Sequence, residues 1–210
     1  MPEVLTLDSL GAAVAELADR DPRLAAVVTR FGPPPLWDRE PGFATLLHII
    51  LEQQVSLASA QAAFDRLSAT THPLTPTRFL ALTDADLLAI GFSRQKTRYG
   101  RALATALVDG ELDLDALAKR DDEEVHESLQ RIPGIGPWSS TIYLLMALRR
   151  ADAWPVGDLA LAIAVRETLG LDQRPDQAEL LALAEAWRPW RSVAARLFWH
   201  DYLGRRGRGG

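Results

Sequence analysis

The sequence predicts an all-α fold, and three observations carry that prediction. Apolar residues recur at a 3.6-residue spacing through most of the 210 positions, which lays them along one face of a helix. Alternating β-branched runs, the mark of a strand, are nearly absent. Glycine and proline fall between the periodic segments and act as punctuation. Helices are expected near 9–19, 22–30, 41–55, 58–69, 76–82, 84–90 and 94–109. Further ones are expected near 113–119, 121–131, 137–149, 158–169, 175–186 and 189–203. Asp21-Pro22 and Thr75-Pro76 each set an N-cap before a proline at the first helical position. Between the second and third helices, Pro33, Pro34 and Pro35 cannot continue a helix, so Phe31 to Trp37 reads as a stiff connector. Asp121 and Glu124 have the spacing of a capping box, Pro137 opens the next helix, and Asp158 precedes the pattern Leu161, Val165, Leu169. The tail from Gly204, with Arg205, Arg206 and Arg208, is expected to fray. The expected organisation has residues 1–57 as N-terminal helices of a terminal lobe and 58–149 as a central helical lobe. Residues 150–210 then complete the terminal lobe.

Composition narrows the function. A chain of this length buries roughly 70% of its unfolded surface, enough for one good core or two small lobes. It has no cysteine, which removes disulfide scaffolds, thiolate zinc sites, iron–sulfur clusters and cysteine nucleophiles together. His48, His72, His126 and His200 are too dispersed for metal-ligand spacing. No glycine-rich loop with a lysine suggests a nucleotide cofactor. No apolar run approaches the ~20 residues of a membrane span, and the N-terminus lacks a basic-then-apolar signal, so a cytoplasmic protein with no membrane partner is expected. The formal charge of −5 argues against coating nucleic acid non-specifically while leaving room for a local basic face.

The most informative segment is Leu129 to Leu148, which reads Leu-Gln-Arg-Ile-Pro-Gly-Ile-Gly-Pro-Trp before Ser139, Ser140 and an apolar helix. Pro133 stops the first helix, and Gly134 and Gly136 open backbone conformations closed to other residues. Ile135 between them is placed to plug the hairpin into the core. The first amides of the helix begun by Pro137 then point outward, a ready site for a phosphate oxygen. A tight helix–helix turn without function is the plain alternative, and the length of the motif favours the DNA-binding reading. Asp158 lies 20 positions beyond Trp138. An aspartate there is an ordinary N-cap, and a carboxylate so held can also stabilise a developing positive sugar and orient a water.

Taken with these residues, further segments complete a resemblance. They are Ile49-Ile50-Leu51-Glu52-Gln53-Gln54-Val55-Ser56, Gly91-Phe92-Ser93-Arg94-Gln95-Lys96-Thr97-Arg98, and Ala186-Trp187-Arg188-Pro189-Trp190-Arg191-Ser192 leading to Trp199. Over about 41–203 the chain resembles the helix–hairpin–helix (HhH-GPD) glycosylase superfamily, most of all its AlkA-type 3-methyladenine DNA glycosylases. The resemblance implies a two-lobed helical fold with its active site in the interlobe cleft, without the N-terminal β domain of some relatives. It implies hydrolysis of the N-glycosidic bond of alkylated bases, 3-methyladenine and 7-methylguanine among them, flipped out of double-stranded DNA. A nucleoid-associated monomer is implied as well.

The resemblance assigns residues unevenly. Asp158 matches the catalytic aspartate. Trp138 stands where bifunctional relatives carry a Schiff-base lysine, which implies a monofunctional enzyme without lyase chemistry. Trp199 matches a base-pocket tryptophan, so Trp138 and Trp199 are expected to sandwich a cationic alkylpurine. Two aromatic pocket positions of the family fall on Ile142 and Leu159, which implies a more open or aliphatic pocket. Trp187 and Trp190 are expected in the core or at a lobe interface. Gln54 matches the side chain that fills the gap left by the flipped nucleotide; a helix-end pair capping backbone groups is the other reading of Gln53 and Gln54. Gly134, Ile135, Gly136 and Ser139 are expected at the DNA backbone. Arg94, Lys96, Arg98 and Arg101 admit either a phosphate contact or a structural role. Carbonyls of Gln130, Ile132 and Gly134 match those that hold a monovalent cation, sodium or potassium, in relatives; no cofactor is otherwise required. The rival function is a non-catalytic helix–hairpin–helix module that binds DNA without cleaving it.

Overall fold

The computed structural model describes residues 3–207, and the expectation for Arg208 lies outside them. No strand occurs among the described residues, where the nearest approach is a single antiparallel bridge between Val4 and Arg150. The α-helices are α1 (Leu7–Arg20), α2 (Pro22–Phe31), α3 (Phe43–Glu52), α4 (Leu57–Thr70), α5 (Pro76–Leu80), α6 (Asp84–Ile90) and α7 (Arg94–Val108). They continue as α8 (Leu114–Leu117), α9 (Asp122–Gln130), α10 (Pro137–Ile142), α11 (Leu159–Leu169), α12 (Gln177–Ala184) and α13 (Arg191–Arg205). No helix is long and apolar enough to cross a membrane among these residues.

Side-chain caps start most of these helices. Asp21 and Thr75 accept from the amides of Arg23 and Arg78, each ahead of its proline. Asp121 caps α9 through the amide of Glu124 at 2.9 Å. The capping box expected there is half made, because Glu124 turns its own carboxylate to Arg120 at 3.0 Å. The expected helix 137–149 changes pitch after Ile142 into a π-helical turn over Tyr143–Ala147. The tail does not fray where expected: α13 runs to Arg205, whose Nε donates to Asp201 at 2.8 Å, and Arg206 holds Glu167.

The chain divides into two compact units, one of Arg39–Tyr143 and one of the residues up to Asp38 with those from Leu144 onward. The first unit therefore takes in 39–57, which the sequence reading grouped with the terminal helices. The reason lies in α3, whose residues Phe43, Thr45 to Leu47 and Ile49 to Glu52 are all buried. A helix apolar on every side must be surrounded, and α4, α7 and α10 surround it. The 144–149 segment moves the other way, into the second unit.

The second unit is built on α13, packed against α1, α2 and α11. Trp154, Trp187 and Phe198 form its aromatic core, with Trp187 4.8 Å from Phe198 and 5.3 Å from Trp154 between ring centroids. Trp187 is thus a core residue as expected, while half-buried Trp190 donates its indole N–H to Glu16 at 2.8 Å. Arg196 of α13 is fully buried with no carboxylate in hydrogen-bond contact. Its guanidinium donates to the carbonyls of Leu36 at 2.8 Å, Leu145 at 2.7 Å and Ser192 at 3.1 Å. Burial pulls it down to about 10, so it still carries its charge at neutral pH. Leu36 sits in the proline connector and Leu145 in the π-helical turn, two irregular stretches whose carbonyls the guanidinium satisfies. Replacing Arg196→Met strands both carbonyls, and the expected loss is about 2–4 kcal/mol of unfolding free energy. Urea titration checks it; a change within about 0.5 kcal/mol would show the carbonyls satisfied otherwise.

Candidate active site

In the first unit the sequence-predicted DNA residues collect around the α9–α10 hairpin. Ile132 and Ile135 are buried, with Ile135 3% exposed as the expected plug. Gly134 has φ +93°, and a Cβ on it would lie 2.1 Å from the Tyr99 ring, so the ring of α7 packs flat on the glycine. Gly136 is different from the expectation: its φ is −99°, open to any residue, and nothing lies within 4 Å of an added Cβ. It is the N-cap of α10 and makes no side-chain cap. Ser139 is buried, Trp138 half-exposed, and Ile142 2% exposed in the core of the unit, where it offers almost no surface to a ligand. His126 joins the two hairpin helices through Ser140 Oγ at 2.8 Å.

The α3 helix ends three residues before the expected 55, at Glu52, and Gln53 and Gln54 form a hook. Gln53 Nε2 donates to the Gly134 carbonyl at 2.7 Å and to Ser139 Oγ at 2.9 Å, so it caps backbone of the hairpin. Gln54 is exposed with φ +58°, a left-handed conformation uncommon outside glycine. Glu52, behind the hook, is 8% exposed and paired with Arg39 at 2.7 Å. The basic cluster divides. Arg94 is exposed, Arg98 lies 5.4 Å over the Tyr99 ring, and Arg101 is bound to the Leu80 and Leu82 carbonyls and to Asp84. Lys96 points inward, its Nζ 2.6 Å from the Leu51 carbonyl. Tyr99 carries no motif in the sequence; only the need of Gly134 for a bare face reveals it.

The carbonyls expected to hold a cation already accept hydrogen bonds, Ile132 from the Ile135 amide at 3.0 Å and Gly134 from Gln53. Each carbonyl has a second lone pair, and neutral oxygen donors suit a singly charged ion, so the residues fit sodium or potassium. No group of three His, Asp or Glu side chains arranged to hold a metal ion occurs among the described residues.

In the second unit a tight turn delivers Asp158. Trp154 is buried in the aromatic core, the Val156 amide returns to the Trp154 carbonyl at 2.9 Å, and Gly157 takes φ +85°. Half-buried Asp158 then N-caps α11, its Oδ1 accepting the Leu161 amide at 2.7 Å. Trp199 of α13, 8% exposed, donates its indole N–H to the same Oδ1 at 3.4 Å. The structure thus brings together two residues 41 positions apart in sequence. Both donors meet the same oxygen, the amide closely and the indole at longer range, and hold that end of the carboxylate in place. Leu159 beside it is 58% exposed.

A family model described as HhH-GPD superfamily base excision DNA repair protein matches residues 47–189, more than half of the chain. The chain belongs to the HhH-GPD superfamily. The probable bifunctional transcriptional activator/DNA repair enzyme AlkA of Mycobacterium tuberculosis is 35% identical over 93% of this HhH-GPD chain, which spans only 40% of that relative's length. Among solved structures, a 3-methyladenine DNA glycosylase of Schizosaccharomyces pombe in complex with abasic DNA superposes with a TM-score of 0.81. It is 25% identical, over 91% of this chain and 95% of that one. A DNA-3-methyladenine glycosidase of Bacillus halodurans gives 0.75 at 26% identity, over 93% and 91%.

The two hairpin glycines are expected to behave differently. Gly134→Ala sets a methyl into the Tyr99 ring at a strained φ and should cost roughly 2 kcal/mol or more of stability. Gly136→Ala, with nothing within 4 Å of the added methyl, should leave the melting midpoint unchanged. Equal stability losses in calorimetry would refute this division.

Proposed function

We propose that the protein is a monofunctional DNA glycosylase of base excision repair, hydrolysing the N-glycosidic bond of alkylated bases flipped out of double-stranded DNA. The observation that carries the reading is the Asp158 carboxylate, oriented by the Leu161 amide and the Trp199 indole. A fixed anion stabilises positive charge developing at C1′ of the deoxyribose as the base departs with the bonding electrons. Water then adds at C1′, leaving an abasic sugar. Alkylation makes a purine cationic, which weakens the bond and draws the base to an electron-rich indole, a role we assign to Trp199, with exposed Leu159 as an aliphatic wall. The assignment of Trp138 to the base rests on the resemblance, and Ile142 supports the helix from within. The names of the relatives favour 3-methyladenine as a substrate, and 7-methylguanine rests on the family resemblance alone.

Gln54 on its exposed hook, Gly136 at the start of α10, and Arg94 are the proposed contacts to DNA, and the fitted monovalent cation would add positive charge at the hairpin. The sequence holds two lysines, Lys96 and Lys119. Neither stands at the position of the Schiff-base amine, which supports hydrolysis without strand cleavage. A monomer acting on a single lesion completes the proposal.

Asp158→Asn tests it. Asparagine keeps an oxygen for the Leu161 amide, so the fold should hold. Release of 3-methyladenine and 7-methylguanine from methylated duplex DNA should fall roughly a hundredfold or more. Affinity for an abasic duplex should stay or rise, since one negative charge near phosphate is gone. Release at the wild-type rate would remove Asp158 from the chemistry, and no release by either protein would leave the non-catalytic DNA-binding module.

A further inference from the structure

Lys96 occupies an electrostatically awkward place. It lies in the first turn of α7, where Ser93 caps its amide at 3.2 Å, and a cation there opposes the dipole of its own helix. Its side chain is also partly buried, and that burial pulls the ammonium below the usual lysine range. What offsets these costs is at the other end of the side chain. Nζ donates at 2.6 Å to the carbonyl of Leu51, in the last turn of α3, where carbonyls lack helical partners and a cation is favoured.

The next residues show why that end of α3 matters. Gln53 bonds to Gly134 and Ser139 of the hairpin, and Gln54 holds a left-handed backbone without being glycine. A strained conformation of this sort persists only when its flanks over-determine it. Lys96 pins the helical flank through Leu51, and Gln53 pins the hook to the hairpin. One turn further along α7, Tyr99 lies flat on Gly134, its hydroxyl accepting from Gln95 at 2.7 Å. Thus α7, the end of α3 and the hairpin form a closed triangle of contacts.

From this geometry we propose that Lys96 is a positioning residue that acts through the C-terminal end of α3, setting Gln53 and Gln54 against the hairpin, and is not a ligand of DNA phosphate. The inference deepens the glycosylase reading and rests on it for the identity of the DNA. A phosphate contact and a positioning contact differ in their salt dependence. Losing a lysine from phosphate reduces the slope of log affinity against log salt by about one, whereas losing a brace weakens binding at every salt concentration alike.

The test compares wild-type protein with Lys96→Met and Lys96→Arg. Affinity for a duplex with a stable abasic-site analogue is measured over a salt series, and hydrogen exchange is followed in free protein. K96M should bind roughly tenfold more weakly with an unchanged salt slope. Exchange should quicken in 51–57 and 131–139, and K96R should recover part of both effects by keeping a cationic donor. A slope lowered by about one with exchange unchanged would make Lys96 a phosphate ligand and overturn the proposal. So would affinity and exchange both at wild-type levels. If K96M does not fold, Lys96→Gln, which also removes the charge, decides by the same two readings. Wild-type protein that binds this duplex yet releases no methylated base would sink the glycosylase reading alone. If it binds no DNA, exchange in 51–57 decides, and unchanged exchange overturns the brace.

Discussion

The first amides of a helix lack helical partners and must be met by a side chain, by water or by a ligand, and this one constraint bears on both candidate sites. Thr6, Asp21, Ser56, Thr75, Thr83, Ser93, Asp113, Asp121, Asp158 and Asp176 all meet it with a side-chain oxygen. At Asp158 the cap and the proposed chemistry are the same atom group. The amide that fixes the carboxylate for α11 also fixes it for a sugar. At Gly136 the reverse holds, since α10 starts with no side-chain cap and a proline at its first position. A start without a side chain leaves room for an outside acceptor, and an anion is the acceptor that the amides favour. The two helix starts thus differ: one supplies its own anion, and in the proposed function the other would take one from DNA.

The second theme is how a loop of few residues is held rigid. The hairpin owes little to its own turn. Gln53 satisfies its Gly134 carbonyl, His126 and Gln130 reach Ser140 between its helices, and Tyr99 covers its glycine. Gln53 and Tyr99 come from outside the hairpin, while His126 and Gln130 tie its own two helices together, so the geometry of the turn is set by packing. Sites on such braced elements hold their positions more closely than free loops do. The cost is a strained residue, Gln54, kept where its exposure would serve a partner better than the fold.

These long-range contacts mark the limit of what the sequence discloses. Caps, prolines and the 3.6-residue period are local, so the helices were legible nearly to their ends, and the HhH-GPD motif was legible as a motif. Where the reading failed, a non-local force decided. Gln53 leaves α3 early because its amide bonds to the hairpin. Tyr143–Ala147 looks helical in sequence and winds as a π-turn whose Leu145 carbonyl goes to Arg196. Arg206 reads as part of a frayed basic tail until Glu167, 39 positions back, is found beside it, although the Asp201–Arg205 pair four residues apart was a local signal the reading missed. Gly136 shared a motif with Gly134, but only Gly134 has a ring against it. The resemblance named Trp199 and Asp158 separately, and their hydrogen bond appears only in the structure, because no spacing rule relates residues 41 positions apart.

The inward use of cations bears on how a chain of net charge −5 could handle DNA. Arg20, Arg66, Arg101 and Arg196 spend donors on backbone carbonyls, and Arg188 and Arg191 converge on Asp152. Lys96 follows the same pattern at Leu51. A guanidinium bound to a carbonyl keeps its charge, but its hydrogen-bonding fork is no longer free to grip phosphate. Such a protein gains little from long-range attraction, which salt screens in any case. In the proposed function, its selectivity would then come from short-range fit: amides at one helix start, a hook beside them, and an indole with a carboxylate at another. For the proposed substrate, a base that differs from its neighbours by one methyl group and a charge, discrimination would reside there, since phosphates are the same on damaged and undamaged DNA.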